Sequence, residues 1–307
     1  MNNRICLVKK LVLLLGCCGI LTSNLISQEV IALYDNVIPN SIPSDIKEVT
    51  LNWDGQFGGY RNISKPTLEI YLPKTDQTDC SAVIICPGGG YGMASYRLEG
   101  TNIAETFRDH GIAAFILKYR LPSDSIMFDK ALGPLQDAQQ AIKLVRQRAR
   151  EWNIDSHKIG IMGFSAGGHL ASTAGTHFDT CLIPNPELIS LHPDYMILVY
   201  PVISMTDQLT HLPSRKNLMG ENPSAERIEF YSNEMHVDDQ TPPTYITHAG
   251  DDRAVVVDNS LIFYKELIKH DVVAEMHLYP KGGHGFVLSD PTEEWMQPLF
   301  KWLESFQ

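Results

Sequence analysis

The stretch Ile159-Gly160-Ile161-Met162-Gly163-Phe164-Ser165-Ala166-Gly167-Gly168 decides how this chain is read. An apolar strand pattern runs into G-x-S-x-G and passes at once into a helical pattern over 166–174. A chain that goes from strand to helix through one residue must turn sharply at Ser165. Glycines two residues to either side remove side chains that would collide with neighbouring backbone. The serine hydroxyl then projects at the head of a helix, where unpaired N–H groups and the helix dipole favour developing negative charge. That is the setting of an activated nucleophile.

Outward from this turn, short apolar runs alternate with longer amphipathic patterns. Strands are expected at 67–72, 82–86, 113–119, 158–164, 195–200, 244–248 and 274–279. Helices are expected at 100–110, 135–152, 166–174, 257–270 and 292–306. Fully apolar strands between amphipathic helices imply an α/β fold with a mainly parallel sheet covered by helices on both faces. No internal repeat or composition shift divides the chain, so residues 67–307 read as one catalytic domain. The polar, turn-rich residues 28–66 read as an N-terminal arm packed on it. Residues 204–243, rich in Pro, Asn and charge, form the longest stretch between sheet elements, and insertions so placed tend to shape pockets.

Pro87-Gly88-Gly89-Gly90-Tyr91 directly follows the 82–86 strand. Consecutive glycines leave backbone N–H groups able to approach a ligand, which suits an oxyanion hole built from Gly89, Gly90 and the N–H of Ala166. No Gly-Lys-Ser/Thr ending follows, so a phosphate loop is a poor competitor. Among the 11 histidines, His284 stands between glycines in Gly282-Gly283-His284-Gly285-Phe286 after the last strand, free to reach across the sheet edge as a general base. His169 lies on the same helix as Ser165 and is expected to point away from the hydroxyl; His248 ends a strand and is expected to pack. The acid that would orient the base lies in Asp251-Asp252, which periodicity cannot separate; Asp137, on the long helix, reads as structural. The order Ser165, Asp, His284 is that of α/β-hydrolases and differs from the chymotrypsin and subtilisin orders. The chemistry expected is attack of Ser165 on an ester carbonyl with His284 taking its proton, and it calls for no metal and no organic cofactor.

Composition bounds the partners. The 307 residues hold 44% hydrophobic residues and a formal charge of −11, which argues for a packed enzyme core and against a nucleic-acid partner. Arg4, Lys9 and Lys10 precede an apolar run over 11–21, so residues 1–27 read as a signal peptide too short to span a bilayer. Leu14-Leu15-Gly16-Cys17 resembles a bacterial lipobox, which would put a lipid anchor on Cys17. The expected location is therefore periplasmic or extracellular. Without residues 1–27, which hold three of the 25 basic residues and none of the 36 acidic ones, the balance becomes −14. Cys80, Cys86 and Cys181 then remain, enough for one disulfide at most and with no zinc spacing.

Taken together, GFSAGGHLA, CPGGGY, HAGDDRAVVVDNS and YPKGGHGF resemble the secreted bacterial α/β-hydrolase esterases described as acetyl xylan esterase-like, over most of the chain from about Pro66 onward. Lys118-Tyr119-Arg120-Leu121-Pro122 and Ser214-Arg215-Lys216-Asn217 fit the same resemblance. It implies Ser165 as nucleophile, His284 as base and the first aspartate of the pair, Asp251, as the acid. It implies acetylated plant polysaccharides or oligosaccharides, such as acetylated xylan, as substrate. One departure is Val256, standing where the family usually carries proline in the acid loop. The motifs also resemble prolyl oligopeptidase-type serine peptidases, whose propeller has no room in residues 28–66, and a general short-chain esterase is a further alternative. Dienelactone hydrolases share the fold but use cysteine at the elbow.

Overall fold

The computed structural model describes residues 28–74, 79–288 and 292–306. The expected signal peptide and the Cys17 anchor lie outside the described residues. In chain order the strands and helices are β1 (Glu29–Ala32), β2 (Val49–Trp53), β3 (Gln56–Arg61), β4 (Thr67–Tyr71), β5 (Cys80–Cys86), α1 (Asn102–Asp109), β6 (Ala113–Lys118), α2 (Leu132–Gln147), β7 (Ile154–Phe164), α3 (Ala166–Thr176), β8 (Tyr195–Val199), α4 (Leu212–Met219), α5 (Ala225–Phe230), β9 (Thr244–Ala249), α6 (Asp258–Lys269), β10 (Ala274–Tyr279) and α7 (Thr292–Phe306).

Eight strands form one sheet in the order β1-β4-β6-β5-β7-β8-β9-β10, and β2 and β3 form a separate hairpin. From β6 to β10 every neighbouring pair is parallel, while β4 is antiparallel to both β1 and β6. Alternation of side chains across the pleat divides the core in two. On β5, Ala82, Ile84 and Cys86 join the core beneath α2, α3 and α6, whereas Val83 and Ile85 join the core beneath α1 and α7. On β8, Met196 and Leu198 take the first side and Tyr195, Ile197 and Val199 the second. Strands buried on both faces must be apolar at every position, which is why they read as continuous apolar runs.

Two expectations are refined. Residues 28–66 do more than pack on the body, because β1 pairs with β4 and extends the sheet by one strand. The helix expected over 100–110 begins with a π-turn, Arg97–Thr101, before α1. Cys80, Cys86 and Cys181 are all free, the first two buried.

A buried ion pair ties the arm to the body. Arg120 and Asp137 are both fully buried, with Nη2 2.8 Å from Oδ1. The Arg120 N–H also donates to Asp137 Oδ2 at 2.8 Å. The guanidinium reaches Pro39 C=O (2.8 Å) and Ser41 Oγ (2.9 Å), and the Tyr34 hydroxyl donates to Asp137 at 3.0 Å, so three residues of the arm depend on this pair. Asp137 is thus structural, as its place on α2 suggested. Asp137→Ala leaves a buried guanidinium uncompensated and is expected to cost about 3–5 kcal/mol in urea unfolding. A loss under about 1 kcal/mol would contradict this account.

Candidate active site

Parallel strands place their carboxyl ends on one edge of the sheet, so the segments after β5, β7, β9 and β10 converge there. Ser165 links β7 to α3 with φ +53° and ψ −117°. A Cβ on Gly163 would collide with Gly167 C=O, and one on Gly167 would collide with Cys86 C=O. Only glycine permits these backbones to approach so closely. The strained residue is pinned by its own hydrogen bonds: Ser165 N–H donates to Val199 C=O at 3.0 Å, and Val202 N–H donates to Ser165 C=O at 3.0 Å.

The Ser165 hydroxyl lies 2.9 Å from His284 Nε2, and His284 Nδ1 lies 2.7 Å from Asp252 Oδ2. With the carboxylate accepting at Nδ1–H, Nε2 is left as the acceptor for the serine proton. The loop that carries His284 holds Gly282, Gly283 and Gly285 at positive φ. Asp251 does not reach the imidazole. Its exposed carboxylate accepts the Gly283 N–H at 2.8 Å, bracing the histidine loop from outside. The expectation of Asp251 as the orienting acid is corrected to Asp252, because the turn closed by Asp252 N–H on Ala249 C=O (3.3 Å) sends the second carboxylate inward and the first to solvent.

Asp252 is 5% exposed and fully hydrogen-bonded. Oδ1 accepts the N–H groups of Ala254 (2.9 Å) and Val255 (3.0 Å), and Oδ2 accepts from His284 and, at 3.2 Å, from His248 Nε2. Burial alone would raise its pKa; the His248 and His284 hydrogen bonds outweigh it and hold the carboxyl well below the usual carboxylate range. His248 therefore does more than pack. Its Nε2–H also donates to Val255 C=O at 2.9 Å, which fixes the tautomer and makes Nδ1 the acceptor of the Ser260 hydroxyl at 2.8 Å.

The glycine loop is held at several points. Tyr119 O–H donates to Pro87 C=O (2.7 Å), Gly88 N–H to Glu99 Oε2 (2.8 Å), and Asn217 Nδ2–H to Gly90 C=O (2.8 Å). Among the described residues no hydrogen bond takes the N–H groups of Gly89, Gly90 or Ala166. Together with Ser165 and His284, Gly89 and Gly90 line a cleft of about 370 Å³. Its other wall comes from the 204–243 segment through His211, Pro213 and Asn217. Sequence reasoning singled out that segment, and Asn217 within Ser214-Arg215-Lys216-Asn217, but gave none of these three side chains a place in the site; Glu99 it did not single out, because no pattern along the chain marks it. A second cleft, of about 270 Å³ and lined by Asp79, His110 and Lys158, contains none of these residues.

His169 points away from the serine, as expected, and joins the glycine loop to the insertion. Its Nε2–H donates to Tyr231 C=O (2.8 Å), so Nδ1 accepts the Tyr91 hydroxyl (2.8 Å). Burial lowers its pKa to about 4, and that of buried His177 likewise to about 4. A histidine whose folded pKa lies below its unfolded value of about 6.5 stabilises the fold fully above that pH. It withdraws about 1.4 kcal/mol per pH unit as pH falls toward the folded value. Urea unfolding at pH 7 and pH 5 should therefore differ by about 2 kcal/mol for each of the two histidines. His169→Gln should remove one share, and a flat profile in the parent protein would contradict both.

The assembled geometry can deliver a serine alkoxide to a carbonyl: a base within hydrogen-bonding distance, a carboxylate orienting that base, and N–H donors at a helix head for the oxyanion. Comparison with known proteins points the same way. Residues 68–267 match the family model described as BD-FAE. The chain is 38% identical over 229 residues to endo-1,4-beta-xylanase B of Butyrivibrio fibrisolvens, covering 73% of this chain and 35% of that protein. It is 36% identical over 248 residues to the acetylxylan esterase of Xylanibacter ruminicola, covering 78% of this chain and 48% of that protein. It thus spans between a third and a half of the length of these relatives. Among solved structures, the acetyl ester-xyloside bifunctional hydrolase of Caldicellulosiruptor lactoaceticus superposes with a TM-score of 0.77 at 37% identity, over 92% of this chain and 98% of that one.

A fluorophosphonate probe should form one covalent adduct per chain, on Ser165, and none on Ser165→Ala. Labelling should slow by about 10³–10⁴-fold in Asp252→Asn and by less than about tenfold in Asp251→Asn. Equal losses in the two aspartate variants would overturn the assignment of Asp252 as the orienting acid.

Proposed function

Because the chain belongs to the BD-FAE family and has the α/β-hydrolase fold, we propose that it is a serine ester hydrolase that removes acetyl groups from plant polysaccharides or oligosaccharides such as acetylated xylan. The observation that carries this reading is the hydrogen-bonded chain Ser165–His284–Asp252 beside a glycine loop with free N–H groups.

The reaction follows from these contacts. As the Ser165 oxygen attacks the acetyl carbonyl, His284 Nε2 takes its proton, and Asp252 stabilises the resulting imidazolium through Nδ1–H. The tetrahedral oxyanion is received by N–H groups of Gly89, Gly90 and Ala166, aided by the dipole of α3. Collapse expels the sugar alcohol, which takes the proton from His284. The acetyl group remains on Ser165 Oγ. Water, deprotonated by His284, then attacks the acyl-enzyme, and acetate leaves as Ser165 recovers its proton.

Two observations support the choice of substrate. Related proteins are named for acetylxylan and acetyl ester-xyloside hydrolysis. The cleft is small and bears hydrogen-bonding side chains, His211 and Asn217, beside the serine, where the alcohol side of a sugar ester would sit. We also infer export, on the charge and apolar pattern of residues 1–27; no helix among the described residues is long and apolar enough to cross a membrane.

Purified protein should release acetate from acetylated xylo-oligosaccharides, measured by proton NMR, and Ser165→Ala should release none. On nitrophenyl esters, kcat/KM should fall on the order of tenfold or more from acetyl to octanoyl. Cleavage of nitrophenyl esters without acetate release from the oligosaccharides would sink the substrate while leaving the serine hydrolase standing. Cleavage of prolyl or aminoacyl amides in preference to esters would favour a peptidase.

A further inference from the structure

Glu99 is a carboxylate buried beside the reacting groups that the mechanism above does not use. It is 5% exposed and sits in the π-turn Arg97–Thr101 ahead of α1, a local irregularity often found at functional sites. Its carboxylate lines the cleft with Ser165 and His284. Oε2 accepts the Gly88 N–H at 2.8 Å and Oε1 accepts the Tyr200 hydroxyl at 2.8 Å. Both partners are donors, so both oxygens act as acceptors, the arrangement an ionised carboxylate satisfies. Among the described residues no lysine or arginine forms an ion pair with it. The Tyr200 ring in turn lies against His284, with centroids 4.8 Å apart, and Tyr200 itself is held at φ +37°.

We propose that Glu99 is a positioning residue of this site: its carboxylate locks Gly88 so that Gly89 and Gly90 present their N–H groups, holds Tyr200 against the His284 ring, and supplies a second negative charge to the imidazolium. This rests on the serine hydrolase reading given above. Removing Gly88 from the set of free donors is what leaves the next two N–H groups for an oxyanion. A Cβ on Gly88 would stand 2.9 Å from Glu99 Oε2 and 3.0 Å from Ser165 Cβ, so loop, carboxylate and nucleophile occupy one tightly packed volume. Burial raises the pKa of Glu99, while the Tyr200 and Gly88 hydrogen bonds and the charge of His284 oppose that rise. The titratable groups around the imidazole are Asp252 with His248 behind it, Asp251 at the base of its loop, Tyr200, Glu99 and, from the N-cap of α4, His211. Of the carboxylates in this set, Asp252 orients the ring directly and Glu99 acts on it through Tyr200 and through space.

The test is Glu99→Gln, nearly isosteric and uncharged, with Glu99→Asp as the variant that restores the charge. For nitrophenyl acetate, Glu99→Gln should lower kcat about 10–100-fold and change KM less than about threefold. Losing an anion near the imidazolium makes His284 easier to deprotonate. Its ring titration, read by nitrogen NMR and assigned with a His284 variant, should therefore move about 0.5–1 pH unit lower, and the acid limb of kcat/KM should move with it. Glu99→Asp should bring the His284 titration back toward the parent value. Parent-like kcat and an unmoved titration in Glu99→Gln would overturn the proposal. So would a loss of kcat without a moved titration, the signature of a merely structural carboxylate. Parent protein that hydrolyses no ester would sink the hydrolase reading instead, and the ring titration would still decide whether Glu99 acts on His284.

Discussion

The passage of the chain through Ser165 is the constraint on which the site depends. A non-glycine residue at φ +53° costs on the order of 1–3 kcal/mol, and it persists because the surroundings over-determine it. β7 is hydrogen-bonded to β5 on one side and β8 on the other, so the strand cannot shift to relieve the turn. α3 cannot shift toward β5 either, because Gly167 already rests against the backbone at the end of β5. The serine is thereby raised at the sheet edge in one orientation, and every other functional group is placed with respect to it.

Around that fixed point, polar groups do the positioning and few of them are reacting groups. His248 braces Asp252, Asp251 braces the loop of His284, and Asn217 and Glu99 hold the glycine loop from two sides. His169 ties Tyr91 at the end of that loop to Tyr231 in the insertion. His248, Glu99 and His169 satisfy buried partners that would otherwise be left without hydrogen bonds, at a cost of about 1–3 kcal/mol apiece, while the bonds of Asp251 and Asn217 lie at the exposed rim. The same bonds that stabilise the edge of the sheet therefore preorganise it, which is the condition for electrostatic stabilisation of a transition state without reorganisation.

Much of this was legible along the chain because it rests on local patterns. Apolar runs of five to seven residues between amphipathic stretches are what a doubly covered parallel sheet demands, and β5 to β9 fall where those runs are, while β4 and β10 fall where polar and apolar residues alternate. The glycines flanking Ser165 and those around His284 mark places where backbone must approach backbone or adopt positive φ, a requirement written in the residue type itself. The choice between Asp251 and Asp252 was not legible in this way. The two carboxylates are adjacent, equally charged and equally turn-favouring, and their fates are separated only by the turn that follows β9 and by what faces it from the histidine loop. β1 was missed as a sheet strand for a related reason. An edge strand exposed on one side has no continuous apolar run to announce it.

By itself, then, the sequence determined the class of fold, the strand-to-helix turn at Ser165, the glycine loop upstream and the histidine downstream, because each depends on residue identity within a few positions. Only the tertiary structure decided which aspartate turns inward, that His248 stands behind it, and that Glu99, His211 and Asn217 close around the serine from segments 46 to 66 residues away from it in the chain. Those placements are long-range. They follow from parallel strands delivering distant loops to one edge, where hydrogen-bond geometry and burial select one side chain from several that the chain alone leaves equivalent.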